Sequence, residues 1–459
     1  MSKWLLVVLV LGTSARAVAA PSPPTSSSGD QVPPPPATPQ PGAAEPAADA
    51  PTLADLGWPG DTVRVEVTHV AAHVVATPSR RGRPLGKVMR GTRAELGALA
   101  RGDRRCPYWV ELRPRGWLCA RDVAPTTAPV GGEVFPLVRP GAILPGEYYD
   151  VGAAGATAFP GRKALAAGSP SKALTTGVMV RGKGRVTVGD VTYVHTNKGL
   201  IDASALRRLA PSTWVGLDLR ATPAPSWPFA FAVGPRRGSA LIVRASPDAK
   251  AAVVRRLQRR EQVAVVEVGE QFLRLGDGQW LARADARLVE QVPPPPGLGA
   301  DEAWIDIDLD QQTLVAYQGV TPVYVTLVST AIRRKGTPPG LYRIRAKAAT
   351  TRMASEADEK LYDVGEVPWA MRFRAGLYLH AAYWHDGFGS KRSHGCVNLS
   401  PRDARALYEW AGPPAPPGWS EVEQELPAGV LIRIRDATTP APPAYDYGRE
   451  RKQAPPIPN

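Results

Sequence analysis

Three of the six histidines, His380, His385 and His394, fall within fifteen residues of one another, and Cys396 lies two residues past the last. The stretch reads Leu379-His-Ala-Ala-Tyr-Trp-His-Asp-Gly-Phe-Gly-Ser-Lys-Arg-Ser-His-Gly-Cys-Val-Asn-Leu-Ser400. A thiol at its ordinary pKa near 8.5 is only a few per cent thiolate at neutral pH, so it needs a base to become a nucleophile. A nearby imidazole can take that proton. Gly395 lets the backbone turn tightly beside the sulfur, and N–H groups around Gly395 and Cys396 could receive the oxyanion of a tetrahedral intermediate. These parts support acyl transfer through a thioester. Residue types alone leave His380, His394 and His385 all open as the base. A metal site would have suitable atoms, but it lacks a recognised zinc spacing and a paired cysteine. A lone cysteine in a β core would be structural; Ser-His-Gly-Cys with an upstream histidine argues against that.

The chain has only three cysteines. Cys106 and Cys119 flank a strand-turn-strand segment and are expected to pair across it, which leaves Cys396 without a partner. The N-terminus sets the compartment. Lys3, the apolar run Trp4 to Leu11 and Ala17-Val18-Ala19 form a secretory signal peptide over 1–19, too short to span a membrane. Export excludes nucleic acid as the partner of the net charge of +14 and points to anionic wall polymers or lipid head groups. No later stretch is apolar enough for an integral membrane segment.

With 459 residues, 49 prolines and 44 glycines, several β-rich domains are expected. Residues 20–57 are a Pro/Ala-rich tether and 436–459 a disordered tail, both too poor in apolar residues to fold. Two further breaks fall near Pro211 to Pro228 and at Val292 to Pro296. Between the breaks a hairpin pattern recurs, its second strands at Trp117, Leu200 and Trp280. Each copy is followed by a polar turn and a short apolar segment. The copies resemble bacterial SH3-like barrels at 58–130, 140–210 (the least regular) and 236–291, serving either as wall or peptide binders or as spacers that set reach. His69, His73 and His195 lie among β-branched residues and read as structural. From Trp304 successive strands follow at Ile305–Leu309, Gln311–Tyr317, Val323–Val328 and Leu341–Arg345. Ser400 as N-cap and Pro401 at the first helical position then start a helix to Trp410. The fold class is mainly β and multi-domain: small SH3-like barrels, then a β-rich catalytic domain over 303–435 with one helix after the cysteine.

The segment around Cys396 is similar to the active-site signature of YkuD-type L,D-transpeptidases, a histidine with Ser-His-Gly-Cys downstream. The likeness extends over about 303–435, through Trp304-Ile-Asp-Ile-Asp, Gln312-Thr-Leu, Val328-Ser-Thr330 and Gly336-Thr-Pro-Pro-Gly340. It implies Cys396 as nucleophile, His380 as general base and the Ala381 carbonyl as the group that orients its ring. Ser393, His394 and Gly395 would shape the pocket and oxyanion site. Ala381 and Asn398 stand where many members have Gly and Arg, so holding the substrate carboxylate falls to Asn398, Arg392 or Lys391. Lys347 to Phe373 would be a flap whose Met353, Tyr362, Trp369 and Met371 meet the stem peptide. The implied reaction is attack on the L-to-D bond of a peptidoglycan tetrapeptide stem and transfer of the acyl group to an amine, a 3→3 crosslink. No cofactor or metal is needed, and carbapenems would acylate Cys396. Water as acceptor would make an L,D-carboxypeptidase, an outer-membrane protein as acceptor an anchoring enzyme, and an inactive site a wall-binding scaffold. In an NlpC-type peptidase the cysteine would precede the histidine; here His380 precedes Cys396.

Overall fold

The alternation Ile305-Asp-Ile-Asp marks a strand with one apolar and one mixed face, yet Trp304 to Ile307 are all buried. The cause is a sheet covered on both sides. In the computed structural model, which describes residues 50–448 apart from 223–225, 236–237, 334–335, 356–361, 413 and 427, Ala303–Asp308 is central in a six-stranded sheet. Its order is Leu217–Asp218, Thr321–Leu327, Thr313–Gln318, Ala303–Asp308, Leu431–Arg435, Gly340–Arg343. The signal-peptide segment, the tether up to residue 49 and residues 449–459 lie outside the described residues. One face of the sheet (Ile305, Ile307, Leu314, Ala316) packs into the main core with the helix Pro401–Trp410 through Ala404 and Leu407. The other face carries Trp304, Val315, Tyr317, Val325 and Leu327, covered by Val289 of the third upstream repeat and by Phe229, Phe231 and Val233, whose strand Phe229–Ala232 pairs with Ala286–Val289 and so starts that repeat before the expected 236. Asp306, on that same face, is buried and neutralised by Arg433 and Arg435.

A second set of strands carries the candidate site residues. Ala346–Ser355 and Tyr362–Arg374 form a long hairpin, Leu377–Ala381 pairs antiparallel with it, and Val397–Leu399 pairs parallel to Leu377–Ala381. The helix starts where the sequence places it: the Ser400 hydroxyl accepts from the Asp403 N–H, with Pro401 in the first turn. A five-residue helix, Arg162–Ala166, lies in the second repeat.

The three repeats share one build. Hairpins Cys106–Arg113/Trp117–Cys119, Val191–Thr196/Gly199–Asp202 and Phe272–Gly276/Gln279–Ala282 each end in a 3-10 turn, at Ala120–Asp122, Ala203–Ala205 and Arg283–Asp285. A short strand follows each turn. Cys106 and Cys119 are disulfide-bonded across the first hairpin. His69, His73 and His195 are exposed on these modules, so none of them is a core residue.

The modules are not strung out as spacers, because each shares a core with the catalytic strands. The first packs Val88 and Leu112 around Trp419 and Val422, and its strand Pro84–Met89 pairs with Trp419–Glu423. Gly86 permits that pairing: a Cβ there would meet the Glu421 carbonyl oxygen. The second inserts Leu144 and Tyr148 into the main core. The break at Pro211 to Pro228 is likewise stitched down. Leu217–Asp218 is an edge strand of the catalytic sheet, and the Gly216 N–H donates to Asp403. Two expectations of disorder are corrected for the same reason. Leu56, at the end of the tether, packs on the first module's core, as does Trp58 just past it. In the tail, the Leu341 N–H donates to the Pro443 carbonyl, the Tyr445 N–H donates to the Leu341 carbonyl, and Tyr447 caps Phe373.

Residues 302–435 alone would expose Trp304, Val315, Tyr317, Val325 and Leu327. At roughly 1.5–3 kcal/mol for each such side chain, the loss rivals a domain's whole stability of ~5–15 kcal/mol. That fragment is expected to aggregate or to unfold without a cooperative transition, while 50–448 melts cooperatively. A monomeric fragment with a sharp calorimetric transition would overturn the shared-core account.

Candidate active site

Parallel pairing of Leu377–Ala381 with Val397–Leu399 sets His380 opposite Asn398. Alternate residues of a strand share a face, so Cys396, two residues before Asn398, lies on the His380 side. All three line one cleft of about 370 Å³ with Met353, Tyr362, Arg392, Ser393, His394 and Gly395. Trp369, predicted to meet substrate, does not: it is buried in the main core. The period of its strand turns it, with Val367 and Met371, into that core, so Met371 of the expected flap contacts does not line the cleft either. Lys391 is exposed and does not line the cleft. Trp384 does line it, and its ring stacks on His380 at 5.7 Å. Sequence reasoning missed it, although a tryptophan four residues past the histidine, after three small or buried positions, was the available signal.

His380 is 1% exposed. Its Nδ1 lies 3.1 Å from the Ala381 carbonyl oxygen, and a carbonyl can only accept, so Nδ1 carries the proton and Nε2 keeps its lone pair. Burial holds the imidazole down to about 4, the Ala381 hydrogen bond opposing the shift. The Cys396 thiol is pushed up to about 11 by burial, against the pull of the Tyr378 N–H. Its Sγ–H points to the Gly376 carbonyl at 3.7 Å. The resting pair is therefore neutral thiol and neutral imidazole.

The loop that carries the sulfur is pinned from behind. Ser393 Oγ donates to the Cys396 carbonyl at 2.6 Å and accepts from the Gly395 N–H at 3.2 Å. The Thr337 hydroxyl donates to the Gly395 carbonyl at 2.7 Å. Buried Gln312 donates to Thr330 Oγ1 and accepts from the Thr330 N–H, and the Thr330 carbonyl takes the N–H groups of Arg392 and Ser393. The motif residues Gln312 and Thr330 thus act through Ser393, and Thr337 through the Gly395 carbonyl, on the loop that carries Cys396. His394 is exposed and stacks on Tyr362 at 5.0 Å, on the flap side of the cleft.

His385 is a support rather than a base. Its Nδ1 accepts from the Gly387 N–H at 3.1 Å, and its Nε2 lies 2.9 Å from the Asn398 amide. Burial, and then the Arg392 charge, press its pKa to about 4, so it too is neutral. A neutral ring that accepts at Nδ1 carries its proton on Nε2. Among the described residues no group of three His, Cys, Asp or Glu side chains is placed to hold a metal, and no helix is long and apolar enough to cross a membrane.

Because folded His380 refuses a proton that the unfolded chain accepts near 6.5, stability must fall as pH drops below 6.5 and level off below about 4. At about 1.4 kcal/mol per pH unit of difference, His380 alone accounts for ~3 kcal/mol of acid destabilisation. Denaturant melts of wild type and His380→Gln between pH 7 and 4 check this. The variant should lose that much less on acidification, and parallel curves would contradict the neutral buried ring.

No curated protein matches the chain. Several solved structures do in part. An Enterococcus faecium L,D-transpeptidase mutant is 17% identical over 29% of this chain and 50% of its own, at a TM-score of 0.24. The aligned region thus spans half the length of that protein. The catalytic domain from the E. faecium enzyme is 18% identical over 29% of this chain and 98% of that one, at 0.24. Mycobacterium tuberculosis L,D-transpeptidase 3 is 19% identical over 36% and 77%, also at 0.24. The family model of the L,D-transpeptidase catalytic domain, YkuD, matches residues 302–423, the span that holds Gln312, Thr337, His380 and Cys396. Residues 302–423 are a YkuD L,D-transpeptidase catalytic domain.

Proposed function

We propose that the chain is an exported peptidoglycan L,D-transpeptidase that uses Cys396 as nucleophile and His380 as base. The observation that carries this is the His380 ring, fixed by the Ala381 carbonyl with Nε2 unprotonated, in one cleft with the sole free thiol. His380 Nε2 takes the Sγ proton as sulfur attacks the carbonyl of the bond between diaminopimelate and terminal D-Ala. The thioester forms, the C–N bond breaks, and the proton goes to the departing D-Ala amine. The side-chain amine of a second stem then attacks, its proton passes to His380, and the thiol is regenerated. The Gly395 N–H is engaged by Ser393, so the Cys396 N–H is the donor assigned to the oxyanion. Asn398 and Arg392 are assigned to the substrate carboxylate. No cofactor enters the scheme. The leader sequence and the Cys106–Cys119 disulfide support an extracytoplasmic setting. The shared order of hairpin, 3-10 turn and strand supports reading the three modules as SH3-like.

The test is mass spectrometry of tetrapeptide muropeptides incubated with the mature protein. Wild type should yield dimers joined through two diaminopimelate residues, Cys396→Ala none, and His380→Gln about 10²–10⁴-fold less. Tripeptides without dimers would replace the reading with an L,D-carboxypeptidase, and an unchanged mixture would refute both. Since His380 resists protonation, kcat/KM should hold as pH falls through 6.5 and drop only towards 4. An acid limb at 6.5 would mean that another histidine is the base.

A further inference from the structure

The second β module does more than pack behind the catalytic strands. Its long strand Val178–Val188 runs parallel to the flap strand Tyr362–Arg374, with Val178 opposite Asp363 and Met179 opposite Val364. This places Gly177 and Met179 in the lining of the cleft that holds Cys396 and His380. The join is close: a Cβ on Gly365 would meet the Asn197 amide at 2.5 Å and the Met179 carbonyl at 3.2 Å. It is also charged, with Lys198 Nζ 2.7 Å from Asp363 and Arg181 2.6 Å from Glu366, all four side chains largely buried.

The flap strand is strained where the module holds it. Glu366 has φ 48°, in the left-handed region that costs a residue with a Cβ on the order of 1–3 kcal/mol unless its surroundings impose it. Two residues of the second module do so. Tyr148 donates its hydroxyl to the Glu366 carbonyl at 3.0 Å, and Arg181 grips the carboxylate. Tyr148 in turn lies against Tyr383 at 4.0 Å, and Tyr383 donates to the Gly365 carbonyl. One face of the flap is thus fixed by residues more than 150 positions earlier in the chain.

We propose that the second module is a built part of the substrate site, with Met179 a specificity-determining wall against which the aliphatic part of the stem peptide packs. This rests on the transpeptidase reading above. Met179 is half-buried and faces the cleft beside Met353, Tyr362 and Val364. Its flexible thioether suits an extended chain of methylenes. The polar groups of the same cleft, Asn398 and Arg392, are those assigned above to the carboxylate. The module supplies the apolar side, which the 302–423 domain does not complete alone.

The experiment uses the full mature chain and two variants, Met179→Trp, which fills the wall, and Met179→Ala, which removes it. Stem-peptide turnover is measured together with the alkylation rate of Cys396, the sole free thiol, by iodoacetamide. We expect Met179→Trp to cut kcat/KM at least tenfold and Met179→Ala to raise KM several-fold with kcat little changed. The iodoacetamide rate should stay within twofold of wild type in both, which reports an intact fold and thiol. Turnover like that of wild type in both variants would overturn the proposal. Should wild type itself process no stem peptide, the transpeptidase reading fails, but the wall is still decided by the ratio of alkylation by a bulky N-aryl maleimide to that by iodoacetamide. A ratio lowered at least fivefold by Met179→Trp upholds the wall, and an unchanged ratio removes it.

Discussion

An almost fully buried imidazole and a partly buried thiol sixteen positions apart must reach one cleft, and the parallel pairing of Leu377–Ala381 with Val397–Leu399 is what achieves this. An antiparallel return could use a short turn. A parallel one needs a crossing segment, and here that segment is the stretch from Ala382 to Cys396, which closes the cleft. It contributes Trp384 against the His380 ring, His385 beneath Asn398, and the Ser393–Gly395 hairpin of hydrogen bonds that holds the sulfur. The crossover is therefore both connector and site wall, which explains why so few of its residues are free to be ordinary surface.

The demand for dryness propagates outwards. A histidine that is 1% exposed needs a thick layer behind it, and 134 residues from 302 to 435 cannot cover both faces of a six-stranded sheet. Three upstream modules provide the cover. The third seals the Trp304 face, the second enters the main core through Tyr148, and the first extends the flap sheet through Trp419–Glu423. Even the tail is used, with Tyr447 bonded to Arg343 and Phe373. Chemistry confined to one strand pair thus accounts for much of the architecture.

What could be read from the sequence was local. Cys396 was legible as the thiol left without a partner, whereas His380 and Ala381 were singled out by the resemblance alone; the structure sets His380 and Cys396 in one cleft with the Ala381 carbonyl at the ring. Ser400 and Pro401 announced the helix, and each repeat announced its hairpin by its turn residues. What could not be read was how separate elements meet. Trp369 was assigned to the substrate because a flap tryptophan suits that role, but one step in strand register sends it into the core. The Pro211 to Pro228 break and the tail looked like linkers by composition. Their docking depends on single contacts, such as Gly216 to Asp403 or Leu341 to Pro443, and these leave no periodic trace. The same holds for Met179, which composition would place in any β core.

Burial acts on both partners in the same direction energetically and in opposite directions on their proton affinities. It raises the thiol to about 11 and lowers His380 to about 4, so a resting thiolate–imidazolium pair is scarcely populated. In the proposed reaction the proton then moves as the sulfur attacks. At that moment the negative charge passes to the substrate oxygen, and the positive charge on His380 is shared with the Ala381 carbonyl. A site of this kind stabilises charge only while substrate is bound. In the extracytoplasmic setting proposed above, that would keep the thiol protonated, and so slow to oxidise, between turnovers. The neutrality of His385 fits the same logic, since an imidazolium there would weaken proton transfer to His380 by like-charge repulsion.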